Sequence, residues 1–289
     1  MKRSPVLLLF AIMLAATAGA ADYERSNHLR VSEILFPETR GWQAVDSLSS
    51  PGMDALLRDK ERLRALYLET EQRRESPECS FITRALDERF DPERFRSADL
   101  NGDGFEDVIY SGPAQCAEGY AAVIWFGGKN GLSTKPVKYV PLELLNVEAG
   151  GQRRLSSCMP GCCGDIVDEY FVGKLVNPRL LARVRVHHQL SLPEEMELVS
   201  EEYASQDKLV LRQAPVENDE YDRNMSGALA HAVFGNVVAE YLPGATGRIV
   251  ARFEDGKGAC WGLLIVDEAS HALRIGAPER INAGWTLMK

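Results

Sequence analysis

Asp99-Leu100-Asn101-Gly102-Asp103-Gly104-Phe105-Glu106-Asp107 decides how the chain is read, because residue type and spacing here jointly demand one chemistry. Side-chain oxygens at alternate positions, from Asp99, Asn101 and Asp103, can converge on one hard cation. Gly104 permits the sharp turn, and Asp107 can close the shell from the far side. Calcium is the ion this donor set suits; a plain polar turn is the alternative reading of the same residues. An EF-hand would place a Glu at the twelfth position and continue as a helix. The twelfth residue is Tyr110, and Asp107-Val108-Ile109-Tyr110 is a β-branched and aromatic run that stops at Ser111-Gly112-Pro113. The loop therefore predicts a strand behind it.

This order, D-x-N-x-D-G-x-x-D followed by an apolar strand, resembles the FG-GAP/VCBS repeat family. The likeness continues downstream, where Tyr120 to Phe126 is an apolar run and Phe126-Gly127-Gly128-Lys129-Asn130-Gly131-Leu132 resembles the Phe-Gly turn of such repeats. The resemblance implies calcium held by the side chains of Asp99, Asn101, Asp103 and Asp107 with the Phe105 carbonyl, bracing a loop between strands of a propeller-type blade. The chain carries a single copy, whereas a propeller stacks several blades. Glu254-Asp255-Gly256-Lys257-Gly258 lacks alternating carboxylates and predicts an ordinary hairpin turn.

Working outward, the segment 79–214 reads as a calcium-loop β domain. Strands are expected at Asp107–Tyr110, Tyr120–Phe126, Val137–Val147, Val167–Val176, Leu181–Leu190, Met196–Tyr203 and Lys208–Arg212, separated by Gly, Pro, Asn and Asp signals. Their spacing predicts an antiparallel meander or a partial propeller-like domain. The acidic stretch 215–224 predicts a linker, and 225–289 a small C-terminal β-barrel with strands at Asn236–Tyr241, Arg248–Phe253 and Cys260–Val266. The Gly-rich turn, the strand bearing Trp261 and the terminal Gly284-Trp285 weakly resemble bacterial Src-homology-3-like domains. Trp42, Trp125, Trp261 and Trp285 are expected in the core, with a groove lined by Trp261 and Trp285 of a small barrel as the alternative.

Upstream, 21–78 reads as a helical N-terminal segment. Ser50 caps a helix running to Glu75, with Pro51 at its first position and Met53, Leu56, Leu57, Leu63, Leu66 and Tyr67 on one face. A second, shorter helix is expected over Ile82 to Phe90. Residues 1–20 read as a secretory signal peptide: a basic start at Lys2 and Arg3, an apolar stretch, then Ala18-Gly19-Ala20. That predicts a periplasmic or secreted bacterial protein with no membrane span. Beyond residue 20 the chain has 31 basic and 42 acidic residues, a net charge of −11. Such an acidic balance disfavours nucleic acid as a partner.

Six cysteines, Cys79, Cys116, Cys158, Cys162, Cys163 and Cys260, form an even set in an exported chain and predict disulfides. Cys79 with Cys116 would tie the flanks of the loop, for roughly 3 kcal/mol on the chain-entropy estimate. The cluster at Cys158, Cys162 and Cys163 also admits a zinc or copper(I) site or redox work. His187 and His188 would face opposite sides of a strand, one packed and one solvated. The chain has no nucleophile elbow and no phosphate-cradling loop. The functional expectation is a calcium-binding, disulfide-stabilised envelope module that takes a protein, peptide or glycan partner. An exported hydrolase with dispersed catalytic residues is the alternative.

Overall fold

The computed structural model describes residues 26–71, 92–113, 120–139, 142–148, 154–161, 167–175, 180–219, 236–270, 272–275 and 281–288. The expected signal peptide, the helix over Ile82 to Phe90 and four cysteines, Cys79, Cys116, Cys162 and Cys163, lie outside these residues. The architecture is mainly β, with three antiparallel sheets and a few helices near the N-terminus. Among the described residues no helix is long and apolar enough to cross a membrane.

The first sheet is a four-stranded meander of β2 (Phe95–Ala98), β3 (Asp107–Pro113), β4 (Tyr120–Trp125) and β5 (Val137–Tyr139). The loop 99–106 joins β2 to β3. Continuous apolar runs in β3 and β4 follow from burial on both faces. Ile109, Ala122 and Ile124 face the second sheet, while Val108, Tyr110, Val123 and Trp125 face Leu56, Leu63 and Tyr67. Those three residues belong to helices α2 (Asp54–Arg58) and α3 (Lys60–Glu71). The single helix expected over 50–75 is broken at Asp59, where the backbone leaves helical values at φ −85° and ψ 84°. Its carboxylate then accepts the N–H of Arg62 at 3.0 Å and starts the next helix.

The second sheet sets β1 (Gln43–Ala44) beside a meander of β6 (Glu143–Val147), β7 (Arg154–Met159), β8 (Val167–Lys174) and β9 (Leu180–His187). The run Val137–Val147, expected as one strand, is two strands in two different sheets. Leu144, Val147 and Leu155 pack on the first sheet, and Leu145, Cys158, Tyr170 and Val172 pack the opposite way. There they meet α1, the helical residues 26–35, through Val31, Ile34 and Leu35. His28 Nδ1 lies 2.6 Å from the buried Tyr170 hydroxyl and pins that helix to the sheet.

The third sheet has seven strands in the order β10-β13-β14-β16-β11-β12-β15. These are β10 (Glu197–Ala204), β11 (Leu209–Arg212), β12 (Val237–Tyr241), β13 (Thr246–Glu254), β14 (Cys260–Val266), β15 (Ala272–Ile275) and β16 (Ala283–Leu287). Ile249 on β13 and Val238 and Tyr241 on β12 share one core although these strands are far apart in the order. The sheet is therefore strongly curled, but β10 and β15 remain edges and the barrel expected of the C-terminal segment is not closed. Strands β10 and β11 come from before residue 215, so the acidic stretch is no boundary between independent β units. Asp219 instead pairs with Arg212 of β11 at 2.6 Å. Trp261 and Trp285 are 1% and 0% exposed; they fill the core and line no groove. The Trp285 indole N–H donates to the Ser191 carbonyl at 2.7 Å.

Candidate functional site

The loop between β2 and β3 is organised by its own side chains. The N–H of Asp103 donates to Asn101 Oδ1 at 3.0 Å and to Asp99 Oδ1 at 3.1 Å, which holds those two oxygens close together. Asp99 Oδ2 accepts from the N–H of Gly104 at 3.0 Å, and Asp103 Oδ1 accepts from the N–H of Phe105 at 2.9 Å. The Asn101 amide donates to Asp103 Oδ2 at 3.0 Å. These reversals need the left-handed region, which Gly102 and Gly104 supply at φ 63° and 85°. Asp99, Asn101 and Asp103 are thus drawn into one turn of hard oxygen donors.

Asp107 has a different place. It is buried at the first position of β3, and Oδ2 accepts the Leu100 N–H at 2.9 Å while Oδ1 accepts the Gly127 N–H at 2.7 Å. It ties the loop's start to the turn that follows β4. Burial lifts its pKa to about 6, against the backbone N–H groups of Gly127, Leu100 and Asn101, with the charge of Asp103 adding to the rise. Gly127 is there because the loop comes close: a Cβ on it would lie 2.2 Å from the Glu106 carbonyl oxygen. Among the described residues no three His, Cys, Asp or Glu side chains gather into a metal centre. The loop carboxylates are turned toward the N–H groups of their own turn. The donor set is nonetheless all oxygen, with three carboxylates and an amide within nine residues, and its chemistry fits a calcium-type cation.

Away from the loop, Glu254 to Gly258 is a hairpin turn, with Gly258 at φ 81°. Asp255 is held below the usual carboxylate range by the N–H groups of Ala259 and Lys257. Cys158 is buried with Sγ 3.9 Å from Glu143 Oε2, Cys260 is half-buried at the start of β14, and no disulfide is formed among the described residues. His187 is buried and His188 exposed, but β9 ends at His187, so the two rings stack at 4.7 Å rather than facing apart.

One feature escaped the sequence. A hollow of about 390 Å³ opens beside the loop, walled by Asp99 and Gly102 on one side and by Glu148 and Arg154 of the β6–β7 hairpin on the other. Arg154 Nε and Nη2 donate to the two Glu148 carboxylate oxygens at 3.1 and 2.8 Å, and its guanidinium stacks 5.1 Å from the Trp42 ring centroid. Hydrogen bonding to Glu148 raises the Arg154 pKa further above its ordinary value. Opposite charges at Glu148 and Arg154, on either side of Gly150-Gly151 in the sequence, were the available signal. No family model, no curated protein and no solved structure matches this chain.

Proposed function

We propose that the chain is an exported calcium-braced β protein whose role in the cell envelope is to bind a partner. The observation that carries this is the loop: Asp99, Asn101 and Asp103 are gathered by a shared set of backbone N–H bonds at the entry to an apolar strand. These three side chains would hold the ion, with Asp107 and the Phe105 carbonyl completing the set that the FG-GAP/VCBS resemblance implies. The four-stranded meander into which the loop leads supports the same likeness. A bound calcium ion would neutralise the crowded carboxylates and stiffen the connection between β2 and β3. Because the donors come from one short segment, the ion's role is structural.

Isothermal titration with calcium tests this. The expected result is one ion per chain, lost in Asp103→Ala and strongly weakened in Asp99→Asn. Heat-silent titration of the folded wild-type protein would overturn it.

A further inference from the structure

We propose that the hollow between the loop and the β6–β7 hairpin binds one sugar ring of an uncharged glycan. The proposal rests on the calcium reading, because Asp99 and Gly102 belong to the loop and to the wall of the hollow.

Size comes first. About 390 Å³ lies in the lower part of the range for small-ligand sites. The lining is two-natured, since Leu48, Val147 and Leu175 make an apolar floor, while Gln43, Glu148 and Arg154 contribute hydrogen-bonding groups. A sugar ring has the matching surface, with C–H faces and a belt of hydroxyls that both donate and accept.

Charge narrows the choice. Glu148 and Arg154 cancel each other in a two-point pair, and their side chains are 17% and 27% exposed, so the pair is partly sheltered from water. A charged ligand would have to break that pair. Neutral hydroxyls can accept from the guanidinium N–H groups that Glu148 does not take, and bond the Gln43 amide, without separating the ions. Trp42 stacked on the guanidinium, together with the two bonds to Glu148, fixes those donors in advance, which lowers the ordering cost of binding.

Trp42 also supplies the readout. It is half-buried, whereas Trp125, Trp261 and Trp285 are 2%, 1% and 0% exposed, so a ligand against Arg154 changes the emission of Trp42 alone. The probes are glucose, galactose, mannose and N-acetylglucosamine with their α- and β-linked oligomers, and sialylated oligosaccharides as acidic comparators. Each is titrated with calcium and with chelator, and thermal midpoints are recorded in both. The expected result is a saturable change with at least one neutral oligomer, weakened about fivefold in Gln43→Ala, the loss of one hydrogen bond, and more in Glu148→Gln. Both variants must keep a cooperative thermal transition.

A calcium-dependent midpoint with no response to any neutral sugar overturns the glycan site and leaves the calcium loop standing. A neutral sugar that binds while the midpoint ignores calcium supports the hollow and removes the calcium reading. Binding unchanged in both variants, or confined to the acidic comparators, overturns the proposal.

Discussion

Gly127 holds the loop from outside it. Its N–H is one of the two bonds that fix Asp107, and its missing side chain is what lets the Glu106 carbonyl approach. Gly127→Ala should destabilise the protein by about 3 kcal/mol or more, since the Glu106 carbonyl in the way is backbone and must move; the urea midpoint measures it. His187 gives a second outcome at this scale. Burial, with the charge of His188, lowers its pKa from 6.5 to about 4, and its Nδ1 accepts the Gln189 N–H at 3.2 Å, a bond only the neutral ring can make. Protonation thus favours the unfolded chain. Stability present above about pH 6.5 should erode as pH falls toward 4, by about 2 kcal/mol at pH 5, and His187→Gln should flatten that slope in urea unfolding. The loop's polar residues were readable because all their signals fall within nine positions. Gly127 was visible only as a turn, because the carbonyl that demands it lies 21 residues earlier in the chain.

Elements were readable where a strand is apolar and hidden where it is not. β3, β4 and β14 are buried on both faces and announce themselves as continuous apolar runs. β7 has the sequence Arg-Leu-Ser-Ser-Cys-Met and reads as the start of a cysteine cluster, yet it lies between β6 and β8. Its serines are fully buried, with the Ser156 hydroxyl bonded to Asn146 on the neighbouring strand. Pairing on both sides overrides the weak strand preference of serine. The break between α2 and α3 was hidden for the opposite reason: the apolar periodicity runs through it, and the Asp59 carboxylate marks the restart. Asp59→Ala should cost about 1 kcal/mol by uncapping α3, seen as a lower thermal midpoint with little change in total helicity.

At the scale of the whole molecule the chain folds back in ways that a left-to-right reading divides. Composition placed a boundary at the acidic stretch 215–224, but β16 sits between β14 and β11, and β10 pairs along β13. Fragments 21–214 and 225–289 should therefore each fail to fold alone, and the intact chain should melt in one transition. Dispersed amide proton shifts from either isolated fragment would contradict that. The layers run from α2 and α3 through the loop-bearing sheet and the second sheet to α1 and the curled third sheet, so the loop sits on a packed scaffold. Tightening it should be felt globally. The most direct measurement is the thermal midpoint of the chain beyond residue 20 with excess calcium and with chelator, in the wild type and in Asp103→Ala. At a hundredfold excess over the dissociation constant, calcium should add about 2.7 kcal/mol and raise the wild-type midpoint by several degrees, with no rise in the variant. Equal wild-type midpoints in calcium and chelator would contradict the account and leave 99–107 a polar turn.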